Sequence, residues 1–466
     1  MNRLFSWARP AALRFAIFFL LTTAALGASA ADVLDWDARN GRVRADITGW
    51  NLEQLLERVT AHTGWEIFLE PGTEHTVSTR FDDFTTGDAL RSLLGPLNFA
   101  VVPQSEGPAR LYVFQTSRSR ATQRVEAPSP EEPLPEKSGI ISNELVIAVK
   151  PGTNVEELAR RLGAKITGRI DELGIYRLAF EDEASARSAM DALRDDPDVR
   201  SVEFNLVVPT PPAAQPAAFG AAPPFSLKPK VVGDSDRVIV GLVDTAVQSL
   251  GPPWDDFLLD SLSVVEGGLT EPDRLLHGTS MFETLLRSVE ISSSGGESTP
   301  VRILSVNVFG DGGHSTTFDI ARGIHMALEG GATLINLSLG ASGSSSVLQT
   351  LIADSHAQGA MFFGAAGNTP GTTPTIPASF PEVIAVTAGD PQGNIRSYAN
   401  SGDFVDVAAP DLAIVHLAGR SYYIRGTSVS TANVSGLAAA LTASSGLPPG
   451  EIEAELRRLL QVKRPE

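Results

Sequence analysis

The chain has 466 residues, 42% hydrophobic and 20% charged, and its 37 Lys and Arg against 55 Asp and Glu give a formal net charge of −18. This balance excludes a collagen-like or wholly disordered chain, allows about three domains, and argues against general binding to nucleic acids or anionic membranes. Because there is no cysteine, disulfides, thiolate metal sites and cysteine nucleophiles are excluded.

The first 30 residues have the order of a secretory signal peptide. Three arginines precede an apolar stretch at 15–26, and the small residues of 28–30 follow. The apolar stretch is short for a membrane span, although an uncleaved membrane anchor is the alternative. We therefore expect the protein to be exported.

Two proline-rich linkers divide the rest of the chain. Residues 118–139 contain four prolines among charged and small residues, and residues 209–230 contain seven prolines among alanines. Segments of this composition cannot build a core. They separate three predicted domains, which are 31–117, 140–208 and 231–466.

The domain at 31–117 is predicted to be a small α+β domain with the order β-α-β-β-α-β. Asn51 with Gln54 is typical of a helix start, and Gly64 of its end. The helical stripes are Leu52, Leu55, Leu56 and Val59, then Ala89, Leu90, Leu93 and Leu94; strands are predicted at 65–69, 77–81, 99–102 and 111–114.

This order of elements resembles the short N-terminal domain of secretins and TonB-dependent receptors of the Gram-negative envelope. The resemblance implies a protein–protein contact in the periplasm, with an envelope protein as the partner. A small folding spacer is the alternative.

The domain at 140–208 has the same β-α-β-β-α-β order. Thr153 with Glu156 predicts a capping box for a helix that ends at Gly163. The second helix is predicted at 184–194, and the strands at 144–150, 166–170, 175–180 and 199–204. Four strands with two helices on one face form a ferredoxin-like sandwich, a fold that does not by itself indicate a function.

The domain at 231–466 alternates apolar runs with helical patterns. Strands buried on both faces are predicted at 238–243, 334–337, 361–365 and 383–386, and helices at 278–289, 318–329, 346–357 and 429–443. This pattern predicts a doubly wound α/β domain with a parallel sheet. In such sheets the site lies at the carboxyl ends of the strands.

Three polar residues lie where that rule places a site. Asp244 ends the first apolar run, His277 opens a helix, and Ser428 opens the most apolar helix of the domain. A hydroxyl becomes a strong nucleophile when a base takes its proton, and a carboxylate can orient that base. These three residue types can therefore supply the chemistry of acyl transfer.

The motifs around these residues resemble those of the subtilisin-like serine proteases, the peptidase S8 family, over most of 237–445. The matching segments are Val-Asp-Thr at 243–245, His-Gly-Thr at 277–279, Ile-Asn-Leu-Ser-Leu-Gly at 335–340, Ala-Ala-Gly-Asn at 365–368, Val-Asp-Val-Ala-Ala-Pro at 405–410 and Gly-Thr-Ser at 426–428. The resemblance implies that Ser428 attacks the peptide carbonyl. His277 would act as general base and then acid, and Asp244 would orient His277.

The same resemblance implies two further parts of the site. The side-chain amide of Asn368 and the backbone N–H of Ser428 would stabilise the oxyanion. Ser338, Leu339 and Gly340 would pair with extended substrate as an added strand.

The sequence departs from the family pattern at several positions. Ala246 and Asp411 stand where the family usually has glycine, and Ser280 stands where it has a second histidine. Residues 430–433, Ser-Thr-Ala-Asn, replace the usual Ala-Ser-Pro-His. If the backbone at Ala246 requires a positive φ, alanine would cost about 1 kcal/mol. No departure removes an assigned catalytic group.

With this resemblance, residues 140–208 look like the propeptide domain of subtilisin-like zymogens. Such domains assist folding and leave their tail in the active-site cleft. Because proline lacks the N–H that strand-like pairing uses, we predict self-cleavage within the proline-free stretch 217–222, with 225–236 as the less favoured place. The mature enzyme would begin shortly before Val238.

Two functions fit these observations. The first is an exported serine endopeptidase, made as a self-processing zymogen, that acts on polypeptides in the periplasm or outside the cell and binds no nucleic acid. The alternative is a weak or inactive pseudoprotease that binds peptides and acts as an envelope interaction protein. No cofactor or metal is expected, because Asp311 beside two glycines is a poor calcium motif.

Overall fold

The structure is a computed structural model. It describes residues 33–37, 42–71, 73, 75–102, 104, 108–125, 139–217, 224–233, 236–265, 275–293, 298–310 and 312–464. The predicted signal peptide, Asp311 and most of the predicted cleavage stretch lie outside the described residues. The chain divides into two compact units, with the boundary between residues 134 and 135.

The first unit contains two helices and two sheets in its described residues. Its elements are β1 (Val33–Asp37), β2 (Arg42–Asn51), α1 (Leu52–Thr63), β3 (Glu66–Leu69), β4 (Thr76–Thr85), α2 (Thr86–Leu94), β5 (Asn98–Val102), β6 (Arg110–Phe114) and β7 (Gln123–Val125). The strands are ordered β1-β2-β4 in one sheet and β5-β6-β3-β7 in the other. The predicted helical stripes are buried in a single core.

The predicted β-α-β-β-α-β order of this unit is incomplete. A pair of antiparallel strands, β1 and β2, precedes α1, and β7 pairs with β3 from within the predicted linker 118–139. The alternation of buried Val43, Ala45 and Ile47 with polar residues is a strand signal that was readable in β2. Sequence analysis missed β7 because the prolines that follow it led to the assignment of 118–139 as a linker.

The second unit begins with a four-stranded antiparallel arrangement. Its elements are β8 (Ile140–Val149), α3 (Val155–Leu162), β9 (Lys165–Ile170), β10 (Ile175–Ala179), α4 (Glu183–Arg194) and β11 (Val199–Pro209). The order β11-β8-β10-β9, with α3 and α4 packed on one face, is the predicted ferredoxin-like sandwich.

The start of α3 differs from the predicted capping box. The backbone N–H of Thr153 donates to the carbonyl of Lys150, so Thr153 belongs to the preceding turn. Asn154 is the N-cap instead, and its side-chain oxygen accepts from the N–H of Glu157 at 3.0 Å. The helix ends at Gly163, whose φ of +69° suits glycine, as predicted.

The remainder of the second unit is built around a parallel sheet. Its elements are β12 (Gln215–Ala217), β13 (Lys228–Pro229), β14 (Val238–Asp244), β15 (Leu262–Ser263), α5 (His277–Ser292), β16 (Ser298–Thr299), β17 (Val301–Asn307), β18 (His314–Thr316), α6 (Thr317–Glu329), β19 (Leu334–Leu337), α7 (Ser346–Ala357), β20 (Met361–Ala365), β21 (Val383–Ala388), β22 (Val407–Ala409), β23 (Leu412–Leu417), β24 (Arg420–Arg425), α8 (Thr427–Ser445) and α9 (Pro449–Leu459).

The seven strands of this sheet are parallel and ordered β15-β17-β14-β19-β20-β21-β22. The strand order reverses at β14, which lies between β17 and β19. The doubly wound α/β fold is therefore confirmed, and the four predicted strands lie at its centre. Sequence analysis missed β17, although its apolar residues are buried, and the antiparallel hairpin of β23 and β24.

The ferredoxin-like sheet is continuous with the second half of the unit. Strand β11 pairs with β18, which makes the sheet five-stranded. The face opposite α3 and α4 packs on α6 and α7, where Val146, Ile175 and Leu206 share a core with Phe318 and Leu351. Residues 139–209 thus cover α6 and α7, two of the helices that pack against the parallel sheet.

We expect a fragment of residues 31–126 to fold alone, because both sheets and both helices of this unit share one core. A fragment that ends at residue 117 lacks β7 and the buried Val125, so it should be less stable by about 2 kcal/mol. Circular dichroism melts of the two fragments measure this difference. Equal stability would contradict the role of β7, and a random-coil spectrum of the longer fragment would contradict an independent unit.

Candidate active site

Asp244 and His277 form a buried pair at the carboxyl edge of the parallel sheet. Asp244 is the last residue of β14, and His277 is the first residue of α5; they are 0% and 3% exposed. The Nδ1 atom of His277 lies 2.8 and 3.0 Å from the two carboxylate oxygens of Asp244. An N–H donor at Nδ1 satisfies the carboxylate and leaves Nε2 as the acceptor nitrogen.

The loop after β14 holds the start of α5 in place. The hydroxyl of Thr245 accepts from the N–H of Gly278 at 2.7 Å. A Cβ at Gly278 would lie 2.1 Å from the carbonyl oxygen of Thr245, so only glycine permits this approach. Gln248 accepts from the N–H of Leu276 at 2.9 Å. His277 is therefore fixed by the same loop that carries its carboxylate partner.

Ser428 lies in the first turn of α8 and is 8% exposed. Its hydroxyl donates to the carbonyl of Ser338 at 3.0 Å, and the hydroxyl of Ser338 donates to the carbonyl of Ser428 at 3.0 Å. Nε2 of His277 is buried and has no hydrogen-bond partner among the described residues. The structure thus joins Asp244 to His277 and Ser428 to Ser338, with no hydrogen bond between His277 and Ser428.

Two buried polar residues that sequence analysis did not single out connect β19 to α8. Asn336 accepts from the hydroxyl of Ser435 at 2.9 Å and donates to the hydroxyl of Ser338 at 3.0 Å. All three side chains are fully buried, so their hydrogen bonds replace those lost to water. An asparagine inside the apolar run of β19 was the available signal.

Asn368 follows β20 and contacts the start of α8. Its side-chain oxygen accepts from the N–H of Thr427 at 2.9 Å. Because this oxygen is engaged, the NH₂ group of Asn368 is the part that can bind an anion. Gly426, at the same turn, has a φ of +150°, and a Cβ there would lie 3.0 Å from Nδ2 of Asn368.

The segment predicted to pair with substrate follows β19 directly. Ser338 and Leu339 are buried, and the next residue but one, Ala341, pairs with Ile376. A Cβ at Gly340 would lie 3.0 Å from the carbonyl of Ile376, so glycine suits this approach. Pairing of Ser338, Leu339 and Gly340 with substrate stays a prediction.

The positions that depart from the family pattern are accommodated. Among the described non-glycine residues only Asp83 and Ala418 have a positive φ, so Ala246 is not strained. The hydroxyl of Ser280 donates to the carbonyl of Leu276 at 3.3 Å. Asp411 is buried in a cluster with two arginines and a tyrosine.

The cluster around Asp411 shifts the pKa values of its members. Burial alone would raise the pKa of Asp411, but hydrogen bonds from Arg425 and Tyr398 outweigh burial and hold that pKa below its ordinary value. Burial and the hydrogen bond to Asp411 raise the pKa of Tyr398 far above its ordinary value. The cluster is therefore a charged, hydrogen-bonded group at neutral pH.

Within the described residues, no group of three or more His, Asp or Glu side chains could hold a metal ion. Of the helices in the described part of the chain, none combines the length and apolar character that crossing a membrane requires.

Comparisons with known proteins cover both halves of the second unit. The model of the subtilase family matches residues 235–461, and that of the fervidolysin N-terminal prodomain matches residues 127–205. Thermitase of Thermoactinomyces vulgaris is 34% identical over 229 residues, which are 48% of this chain and 81% of thermitase. The thermophilic serine proteinase of Bacillus sp. (strain AK1) is 29% identical over 322 residues, which are 67% of this chain and 80% of that protein.

Two solved structures share the fold. Fervidolysin from Fervidobacterium pennivorans, described as a keratinolytic enzyme related to subtilisin, has a TM-score of 0.51 at 18% identity; the match covers 67% of this chain and 56% of fervidolysin. The epidermin leader peptide processing serine protease of Staphylococcus aureus has a TM-score of 0.51 at 17% identity, over 67% of this chain and 91% of that chain.

We expect Gly426→Ala to lower the free energy of unfolding more than Gly419→Ala does. Both glycines have a positive φ, so alanine is strained by about 1 kcal/mol at each. At 419 a Cβ meets open space, whereas at 426 it displaces Asn368 and deprives Thr427 of its acceptor, which costs about 1 kcal/mol more. Urea titrations measure both variants; equal losses would refute the contact with Asn368.

Proposed function

The chain belongs to the subtilase family, and from this we propose that it is an exported, self-processing serine endopeptidase in which Asp244, His277 and Ser428 form the catalytic triad. It is a subtilisin-like serine peptidase with a prodomain. One observation carries the assignment of the triad. It is the hydrogen bond from Nδ1 of His277 to the carboxylate of Asp244, two buried residues at the sheet edge where α8 begins with Ser428 in its first turn.

The proposed mechanism uses the free nitrogen of His277. With Nδ1–H directed at Asp244, Nε2 has the lone pair that accepts the proton of Ser428 Oγ as it attacks the substrate carbonyl. For this the hydroxyl of Ser428 exchanges its hydrogen bond to Ser338 for one to His277. The negative charge of Asp244 then stabilises the imidazolium of His277.

The proposed oxyanion site lies at the N-terminus of α8. Asn368 directs its oxygen to Thr427 and so leaves its NH₂ group available, and the N–H of Ser428 is the second proposed donor. The partial positive charge of a helix N-terminus favours an anion there. Donors that are already oriented stabilise the developing charge without reorganisation.

Support for a zymogen comes from how residues 139–209 contact the enzyme. The carboxylate of Glu203 accepts from the N–H groups of Ser346 and Val347 at the N-terminus of α7. The side-chain oxygen of Asn205 accepts from the N–H of Phe318 at the N-terminus of α6. Arg177 lies 3.4 Å from the buried Asp319. Each helix start thus receives a hydrogen-bond acceptor from the prodomain in addition to its own N-cap, which is Thr316 in α6 and Ser345 in α7.

Strand pairing holds the linker on both sides of residues 210–214. Before them, β11 pairs with β18, and after them β12 pairs with β24, which ends three residues before Ser428. Because β12 runs antiparallel to β24, with Gln215 opposite Tyr423 and Ala217 opposite Ser421, the part of the linker that leads toward the start of α8 precedes residue 215. This path supports cleavage of the linker by the enzyme itself. The stretch 217–222 stays the proposed place, although all but its first residue lies outside the described residues.

Export and envelope contact complete the proposal. Residues 1–30 would direct the chain to the periplasm or the extracellular space, and the unit that contains β1 to β7 would bind an envelope protein. Only the sequence pattern and the resemblance support these two points. Crosslinking in intact periplasm tests the partner, and recovery of no specific adduct would count against it.

We expect a fluorophosphonate probe, which reacts with activated serines, to label the wild-type protein and not Ser428→Ala. The reason is that only a serine whose proton is taken by a base attacks the probe rapidly. Mass spectrometry of labelled protein, with folding checked by circular dichroism, gives the readout. Absence of labelling in folded wild type would favour the peptide-binding pseudoprotease instead.

Kinetics on a peptide substrate separate the roles within the site. Asn368→Ala should lower kcat by about 10²–10³-fold, because one of two oxyanion donors is lost. His277→Ala should lose more, because the nucleophile then lacks its base. An unchanged kcat for Asn368→Ala would refute its assignment.

We expect wild-type protein to be cut in the linker and Ser428→Ala to remain full length, because the enzyme itself would perform the cut. Intact mass and N-terminal sequencing of both proteins, purified without other proteases, locate the cut. Clipping of Ser428→Ala at the same bond would contradict self-processing. Full-length wild type that cleaves substrate would contradict the zymogen.

A further inference from the structure

Asp411 lies where β22, the last strand of the parallel sheet, leads into the hairpin of β23 and β24. Its side chain is 2% exposed and accepts three hydrogen bonds. The donors are Nε of Arg425 at 2.7 Å, the hydroxyl of Tyr398 at 2.8 Å and Nε of Arg396 at 3.1 Å. A buried carboxylate needs such partners, and these three come from two different segments of the chain.

The main chain of Asp411 holds the same turn as its side chain. The carbonyl of Asp411 accepts from the N–H of Gly426 at 3.0 Å, and Arg425, which binds the carboxylate, is the preceding residue. Ser428 follows two residues after Gly426. Asp411 therefore binds two consecutive residues of the nucleophile turn, which is residues 425–427: its carboxylate accepts from Arg425 and its carbonyl accepts from Gly426.

The two residues before Asp411, Ala409 and Pro410, accept hydrogen bonds from the first turns of α8. The hydroxyl of Ser430 donates to the carbonyl of Ala409 at 2.9 Å, and the amide of Asn433 donates to the carbonyl of Pro410 at 3.0 Å. Three consecutive carbonyls, 409 to 411, thus accept from the nucleophile turn and α8. Asp411, Ser430 and Asn433 are all positions where this sequence departs from the family pattern.

The opposite side of the nucleophile turn is held by Asn368. Its side-chain oxygen accepts from the N–H of Thr427, and Gly426 lies too close to Asn368 for a larger residue. The turn is therefore hydrogen-bonded to both Asp411 and Asn368. Any shift of the Asp411 side would move Ser428 relative to the proposed oxyanion donor.

We propose that Asp411 is a positioning residue for catalysis, which sets the place of Ser428 relative to Asn368 by holding Arg425 and Gly426. This inference rests on the proposed function of Ser428 and Asn368. Misplacement of reacting groups by about 1 Å can cost on the order of 10²-fold in rate. The proposed pairing of substrate with residues 338–340 uses a segment to which the Asp411 side chain makes no hydrogen bond, so substrate binding should change little.

The test compares Asp411→Asn, Arg425→Gln and Arg396→Gln. Asparagine keeps the shape of Asp411 without its charge, and Arg425→Gln removes its contact on the nucleophile turn. Arg396→Gln is the matched control, because Arg396 donates to the same carboxylate from outside that turn. Each processed variant is titrated with the fluorophosphonate probe, so that kcat refers to reactive sites only, and its melting temperature is measured.

We expect Asp411→Asn and Arg425→Gln to lower kcat by about tenfold or more with KM within about threefold of wild type. Their double variant should be no slower than the slower single variant, because both remove one connection. Arg396→Gln should keep kcat within about threefold. If Asp411→Asn does not fold, Arg425→Gln and its control decide the matter.

Two results would overturn the inference while leaving the proposed function intact. One is an unchanged kcat per titrated site in Asp411→Asn and Arg425→Gln. The other is an equal loss of kcat in all three variants that follows their melting temperatures, which would make the cluster merely structural. Failure of wild type to react with the probe would instead refute the proposed function, and this inference with it.

Discussion

A carboxylate with no exposure to solvent must be satisfied by nearby donors, and Asp244 sets this requirement for the whole site. Its donors are Nδ1 of His277 and the N–H of Thr245, at 2.8 and 2.7 Å. Thr245 in turn accepts from the N–H of Gly278, so strand, loop and helix are connected through hydrogen bonds that begin at one buried carboxyl group. The end of β14 and the start of α5 cannot separate without leaving a buried charge unpaired, which is strongly unfavourable.

The same principle governs how the prodomain covers the enzyme. The first N–H groups of a helix have no partner inside the helix, so an acceptor from outside stabilises them. Glu203 supplies such an acceptor to α7 and Asn205 to α6. Phe318 enters the space left by Gly168, where a Cβ would lie 2.4 Å from its ring. Close packing of apolar groups and hydrogen bonds to helix N-termini therefore both stabilise the contact between the prodomain and the enzyme.

Features that depend on neighbouring residues in the sequence were predicted, whereas features that depend on contacts between distant residues were missed. The apolar runs of β14, β19, β20 and β21 predicted the sheet because strands buried on both faces need continuous apolar residues. The motifs at its carboxyl edge predicted where the candidate site lies. By contrast, β7 depends on pairing with distant β3, and the roles of Asn336 and Asp411 depend on partners about 15 to 100 residues away. The asparagine in the apolar run of β19 marks its own position, but the partners in these long-range contacts cannot be read from a local pattern.

The departures from the family pattern differ in physical character. Ala246 and Ser280 are absorbed locally, since the first needs no unusual backbone and the second bonds to its own helix. Asp411, Ser430 and Asn433 form one connected group around the start of α8. Proline near a helix start restricts the backbone, and this chain has Ala432 in its place. Side-chain hydrogen bonds from Ser430 and Asn433 of α8 to the carbonyls of residues 409–410 restrict the same turn by other means.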